Sequence, residues 1–304
     1  MVRNPAPALR VVGASEVESI LEFAPLIERL REAFRLGADI PPRHHHTIPT
    51  DGVDATLLLM PAWRKQRFIG VKLLTIFPDN PRNALPALSG TYLLMSGLTG
   101  EPLAVIDARM LTLRRTAAAS ALASRYLSRP DSERLLLVGT GALAPQLIIA
   151  HASVRPIREL VVWGRNRDKA ERLARNFTGR RLRAVATDDL EAAVRGADIV
   201  SCATSARAPL IRGEWLKPGQ HIDLVGSFTP EMRESDDGVV DRARLYVDTY
   251  EALREAGDLT QPLASGTITE AAIAGDLAEL CQGRRAGRSF YNQITDRKST
   301  RLNS

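Results

Sequence analysis

The run RLLLVGTGALAPQLIIAHA, residues 134–152, constrains this chain more than any other segment. A short apolar stretch suited to a buried strand ends in Gly139, and Gly141 and Ala144 complete a G-x-G-x-x-A spacing immediately before a helical stretch. In that setting the first glycine allows a tight turn and the second lets backbone approach a pyrophosphate. A small third residue lets helix and strand pack closely. The helix N-terminus then offers unpaired N–H groups and partial positive charge to phosphates. A glycine turn that merely packs is the alternative. The flanks favour the dinucleotide reading, because from Arg134 onward LLLVG, LVVWG, LRAVA, DIVSCA, HIDLVG and RLYVDT alternate with helical segments such as DKAERLARNF and DDLEAAVRG. Such alternation specifies an α/β domain of Rossmann type, a doubly wound parallel sheet covered by helices.

The second strand of such a unit selects the cofactor. An acidic residue at its end would bond the ribose 2′-hydroxyl of NAD, about 20 residues past the glycines. Here the strand ends in WGRNR. Arg165 and Arg167 would accept a 2′-phosphate through charge-assisted hydrogen bonds, so NADP(H) is expected, with NAD(H) as the alternative. Both arginines as solvated loop charges is the competing reading.

The first part of the chain has another texture. Ser15 and Glu18 have capping-box spacing, and Leu26, Ile27, Leu30, Ala33 and Phe34 recur at helical spacing, so the chain is expected to open with helix. The runs ATLLLM, FIGVKLLTIF, GTYLLM and PLAVID follow, with SGLTGEP resembling a hairpin turn. They read as a smaller, largely antiparallel sheet, and ARMLTLRRTAAASALASRYL as the helix leaving it. We expect a smaller domain of α+β type over 1–118 and the nucleotide-binding domain over 119–290.

Three segments of the first domain set a cation beside an element end: PPRHHH (Arg43), GVKLLTIFPDN (Lys72) and LRRTAAASA (Arg115). Lys72 lies among Ile69, Val71, Leu73 and Leu74, and a lysine in a buried strand is costly without an anion beside it. A ligand carboxylate would serve; a structural ion pair or an edge strand would also account for it. His44, His45 and His46 cannot all face one metal from a regular strand, and no metal is expected.

The formal net charge of +6 is scattered, with no basic helix or aromatic-interleaved stripe, so anionic small molecules are favoured over nucleic acid. No segment has the apolar length of a membrane span, and MVRNPAPALRVV lacks a signal-peptide core, so we expect a cytoplasmic protein without membrane partners. Cys202 and Cys281 are far apart and read as small buried apolar residues.

PPRHHH, GVKLLTIFPDN, the stretch from Leu85 to Asp107 ending TGEPLAVID, LTLRRTAAASALAS, VGTGALA, ADIVSCATSARAPLI, HIDLVGSFTPEMRE and AGDLAEL occur in the order found in the ornithine cyclodeaminase and mu-crystallin family, which the chain resembles from about Arg43 to Thr295. The resemblance implies a homodimer in which 1–118 is the substrate-binding and dimerisation domain, with the substrate carboxylate held by Arg43, Lys72 and Arg115; Lys72 is our catalytic candidate. The cofactor site is expected at Gly139, Thr140, Gly141, Ala142, Leu143, Arg165, Asn166, Arg167, Thr204 and Gly226. Such proteins reduce cyclic ketimines, reductively aminate keto acids or cyclise ornithine to proline with loss of ammonia; some mu-crystallin relatives bind the cofactor without useful catalysis.

Two departures from the family pattern bear on the choice. Phe228 follows Gly226 and Ser227 where the cyclodeaminases place an Asp, and phenylalanine accepts no proton. Together with WGRNR this ranks an NADPH-dependent reductase of Δ1-pyrroline-2-carboxylate or its six-membered homologue above a cyclodeaminase and above a non-catalytic binder. Hydride would pass to C2 of an imine whose carboxylate the three cations orient, with Lys72 or a water supplying the proton. The end of the chain also departs: DRKSTRLNS is polar and aperiodic where the family has an apolar segment. We expect residues 291–304 to be a truncated, disordered, non-native tail.

Overall fold

A computed structural model describes residues 9–179 and 182–299. In chain order, strand β1 (Arg10–Val12), helix α1 (Ala14–Ile20) and helix α2 (Phe23–Leu36) precede strands β2 (His44–Ile48), β3 (Ala55–Arg64), β4 (Phe68–Ile76), β5 (Leu88–Ser96) and β6 (Pro102–Asp107). Helix α3 (Ala108–Leu127) leads to β7 (Arg134–Val138), α4 (Ala144–Val154), β8 (Glu159–Trp163), α5 (Arg167–Phe177), β9 (Arg183–Thr187), α6 (Leu190–Gly196), β10 (Ile199–Cys202) and β11 (His221–Leu224). The remainder is α7 (Asp237–Arg242), β12 (Arg244–Val247), α8 (Ala252–Glu255), α9 (Gly257–Ala264), β13 (Ile273–Asp276), α10 (Leu277–Cys281) and β14 (Thr295–Lys298).

These elements form two compact units. One holds residues 9–22 and Leu36–Arg115; the other holds Phe23–Arg35 and the chain from Thr116. The expected boundary at 118 and 119 therefore falls at Arg115 and Thr116, and α2 groups with the second unit. Phe23 and Ile27 of α2 pack on Ala117, Ala118, Ala121 and Leu122 of α3 in that unit's core, which accounts for the grouping.

Among the described residues the first unit is a six-stranded sheet of order β1-β6-β5-β4-β3-β2. Strands β2 to β6 pair antiparallel in sequence, and β1 closes the edge parallel to β6. The SGLTGEP turn has the expected hairpin form: Ser96 and Glu101 keep the ladder, and Gly100 adopts φ +76°, a left-handed geometry that costs glycine little. The opening differs from expectation. β1 comes first, Gly13 is the N-cap of α1 and makes no side-chain cap, and Ser15 lies inside the helix, so no capping box forms.

In the second unit eight parallel strands run in the order β13-β12-β14-β11-β10-β7-β8-β9 among the described residues. From β7 the chain steps outward to β8 and β9, then returns to lay β10 on the other side of β7. That reversal is the topological switch point, where α/β sheets open a crevice beyond the carboxyl ends of their strands. Leu135, Leu137, Leu160, Val162 and Ile199 feed one core, and Leu136, Val138, Val200, Cys202 and Ile222 another. Burial on both faces explains the near-continuous apolar runs.

The tail expectation is corrected at its first part. Thr295–Lys298 is no disordered end: it forms β14, parallel to β11 on one side and β12 on the other, and is buried throughout. Its charges have partners inside the sheet. Arg297 reaches Asp223 Oδ1 at 3.0 Å and Ser120 Oγ at 3.1 Å, and Lys298 lies 2.8 Å from Asp296. Residues 300–304 lie outside the described residues.

Candidate functional site

The nucleotide cradle forms where β7 turns into α4. Gly139 adopts φ +118°, and a Cβ there would sit 2.5 Å from the Ala203 carbonyl oxygen, so the turn presses against the end of β10 and requires glycine. Gly141 differs: nothing lies within 4 Å of the position its Cβ would take. That open side is where backbone could meet a pyrophosphate. Ala144 is buried, Pro145 occupies the first turn of α4, and no acidic residue or side-chain cap competes for the helix N-terminus. Thr140 bears on the second strand's exit, since its methyl lies 2.8 Å from where a Gly164 Cβ would be. Ala142 and Leu143 complete the loop. The residues present therefore fit a dinucleotide.

At the end of β8, Asn166 caps α5 by accepting from the Lys169 amide at 2.9 Å. Arg167 is engaged within the protein, donating to Glu171 at 2.9 Å and to Asp188. Those hydrogen bonds raise its pKa further above the ordinary arginine value. Arg165 is exposed at the strand end. The sequence treated the two arginines alike; the structure separates them.

Thr204 and Gly226 follow β10 and β11, and one buried carboxylate joins them. Glu234 Oε1 accepts from the Thr204 amide at 2.6 Å and its hydroxyl at 2.8 Å, while Oε2 accepts from the Gly226 amide at 2.7 Å. Burial, and then the charge of Asp258, push the Glu234 carboxyl up to about 8 against the lowering effect of those donors. Asp258 accepts from the Glu234 and Ser235 amides at 3.0 and 2.9 Å. Neither acid was marked by the sequence: Glu234 lies in an irregular loop, and only the backbone donors that converge on it reveal its place. Phe228 is half-buried in the loop after β11, and beside it Ser227 donates to the Met232 carbonyl at 2.7 Å.

The other unit carries the cations. Lys72 is only 2% exposed, on the face of β4 that also buries Leu74. The register places it opposite Met60 on β3 and Tyr92 on β5, and Tyr92 opposite Ile106 on β6. Directly paired residues share a face, so one row runs Met60, Lys72, Tyr92, Ile106. Arg43 is half-buried and immediately precedes β2, whose His44 pairs with Leu59. Arg115 is 9% exposed. It stands two turns beyond Ala108, which packs against Leu58, Met60 and Leu74 on this face, and residues seven apart lie on one stripe of a helix. Sheet register and helix periodicity thus direct Lys72 and Arg115 to one side of the sheet, and Arg43 stands at the start of its edge strand β2. Tyr92 was missed in the sequence; its hydroxyl lies over Gly70, where a Cβ would be 1.8 Å from it, and burial raises its pKa. The three histidines occupy exposed edge strand β2, with His44 and His46 stacked at 6.5 Å.

A parallel sheet with a glycine turn at its switch point and, in the other unit, an antiparallel sheet that buries cations on one face define a two-unit protein of the dinucleotide-binding class. The chain belongs to the ornithine cyclodeaminase/mu-crystallin family, whose model matches residues 9–302. It is 38% identical over 298 residues to a Δ1-pyrroline-2-carboxylate reductase of Colwellia psychrerythraea, covering 96% of this chain and 94% of that protein. It is 36% identical over 229 residues to the ketimine reductase mu-crystallin of Rattus norvegicus, covering 75% and 70%. The solved Δ1-pyrroline-2-carboxylate reductase of Thermococcus litoralis, in complex with NADH and L-proline, superposes with a TM-score of 0.88 at 30% identity, covering 96% of this chain and 92% of that one.

Proposed function

We propose that this chain is an NAD(P)H-dependent reductase of small cyclic imino acids, taking Δ1-pyrroline-2-carboxylate or Δ1-piperideine-2-carboxylate to proline or pipecolate. The observation that carries the reading is the buried cationic face: Lys72 and Arg115 suit a small carboxylate, and the family includes named reductases of such a compound. A bound nicotinamide supplies hydride. Arg43, Lys72 and Arg115 hold the carboxylate and orient the imine carbon, and burial of the face excludes water that would screen those contacts. Lys72 or the Tyr92 hydroxyl supplies the proton at nitrogen. Phe228 stands where the cyclodeaminases place the Asp that handles protons at the amine, which sets ornithine cyclisation lower. The test is paired: purified protein should consume NAD(P)H with either cyclic imine and release little ammonia from ornithine. Stoichiometric ammonia at rates matching imine reduction would overturn the reading.

NADP(H) is the proposed preferred form. With Arg167 committed to Glu171 and Asp188, Arg165 is the cation left to meet a 2′-phosphate, and the strand end offers no carboxylate to the 2′-hydroxyl. Fluorescence titration should give NADPH about tenfold tighter binding than NADH, in line with a charge-assisted contact, and Arg165→Asp should reverse the order. Equal affinities would remove Arg165 from the site.

The second face of the antiparallel sheet supports a homodimer. Pro61, Val71, Leu93, Val105 and Val11 form one cross-strand row, none is fully buried, and Val11 is 74% exposed. An apolar sheet face of this kind fits a second copy of itself. Light scattering should show a dimer, and Leu93→Asp should convert it to monomer; a monomeric parent protein would contradict the proposal. The two cysteines are buried and unbridged, which fits a reducing compartment such as the cytoplasm.

A further inference from the structure

We propose that Glu234 is a positioning residue for the dinucleotide: its carboxylate ties the loop after β10 to the loop after β11 and holds that end of the cradle in shape. The inference rests on the reading of this unit as the cofactor domain.

The two loops nearly touch. A Cβ at Gly226 would lie 2.1 Å from the Thr204 carbonyl oxygen and 2.4 Å from Glu234 Oε1, so the approach leaves no space for a side chain. Each buried amide at these strand ends needs a hydrogen-bond partner. Here three donors from two loops converge on one carboxylate.

The contact propagates to the glycine loop. The Ala203 carbonyl that excludes a side chain at Gly139 immediately precedes Thr204, and the Thr204 methyl is 3.3 Å from that same Cβ position. Moving Thr204 would therefore move the wall against which the first glycine turns. Glu234 is in turn held from behind. Asp258 of α9 accepts from its amide, Lys298 of β14 donates to Ser235 Oγ at 3.2 Å, and Ser227 Oγ accepts from the Asp258 amide at 3.3 Å. The Cys202 thiol of β10 also faces the carboxyl. With its amide and hydroxyl given to Glu234, Thr204 shapes the site through the backbone it fixes.

Glu234→Gln isolates this role. The amide keeps the volume but replaces one acceptor with an NH₂ group, setting donor against donor at Gly226 or at Thr204. The expected result is a folded protein by circular dichroism whose Kd for NAD(P)H, read by fluorescence titration, rises about tenfold or more, since a buried donor left facing another donor costs its full desolvation. The KM for the imine at saturating cofactor should change less than about threefold, because the carboxylate-binding residues belong to the other unit. A folded variant with unchanged Kd would make Glu234 merely structural and overturn the proposal. If Glu234→Gln does not fold, Thr204→Val removes only the hydroxyl donor from the same bridge; a Kd raised about threefold supports the role, and an unchanged one overturns it. A parent protein that binds dinucleotide but reduces no imine would defeat the substrate reading and leave this result standing. One that binds no dinucleotide would defeat both.

Discussion

Lys72→Ala and Arg115→Ala are each expected to lower kcat/KM for a cyclic imino acid by about 10²- to 10³-fold while leaving NAD(P)H affinity within about twofold. Both side chains sit on a face closed to solvent, Lys72 between Met60 and Tyr92 in the sheet and Arg115 on the stripe of α3 that begins with Ala108. An ammonium in such a place bears a desolvation cost that an anion offsets, and the attraction of a substrate carboxylate is weakly screened there. Removing the cation removes binding that both ground state and transition state use, together with the orientation of the imine carbon. KM should therefore rise and kcat fall. Lys72→Met separates the two uses of a buried lysine. If the lysine serves substrate, an apolar chain of similar length keeps or raises the melting temperature while turnover disappears. If it serves a structural carboxylate, the same change leaves that group stranded and the protein melts earlier. Circular dichroism beside the kinetics distinguishes the cases, and wild-type turnover in any of these variants would exclude that residue from the site.

The parts legible in the sequence are those where local pattern and tertiary role agree. Each apolar run from LLLVG to RLYVDT is a strand, the inner ones because strands buried on both faces need continuous apolar residues, and the glycine turn sits between β7 and α4 as its spacing required. The whole of ARMLTLRRTAAASALASRYL is one helix, its alanines accepting neighbours from several sides. Lys72 was legible for the opposite reason, as a local conflict between a charge and its apolar flanks. Three features were hidden because the residues themselves do not show what surrounds them in the fold. Ser15 has the right neighbour for a capping box, yet β1 ends at Val12 and the helix begins too early for Ser15 to cap it. Glu234 carries no pattern at all, since its donors come from the ends of two strands. Thr-Asp-Arg-Lys reads as a solvated end, and only the carboxylates at Asp223 and Asp248 explain why it is a buried strand.

That strand leads to the second large effect: Arg297→Met is expected to destabilise the protein by about 3–5 kcal/mol, the usual cost of removing one partner from a buried ion pair. Arg297 is fully buried between two acids, with Asp223 Oδ1 at 3.0 Å and Asp248 Oδ2 at 3.5 Å. The acids have further partners. Ser201 Oγ donates to Asp223 at 2.9 Å and His151 Nε2 lies 3.3 Å from it, while Ser299 Oγ donates to Asp248 at 2.8 Å. Burial alone would raise the Asp223 carboxyl; the His151 hydrogen bond and the Arg297 charge overcome it and hold that group well below the usual carboxylate range. A carboxyl lowered in the folded state contributes stability that is fully present above its unfolded value, about 4, and is lost as pH falls below it. The melting temperature should therefore decline on acidification through that range in the parent protein, and decline less steeply in Arg297→Met, where the carboxylate has lost its cation. Asp223→Asn placed on Arg297→Met should recover part of the loss, because it removes the stranded charge, and a double-mutant cycle measures the coupling. If Arg297→Met melts like the parent with the same acid limb, β14 does not occupy the gap between β11 and β12, and the sheet must be closed by other residues.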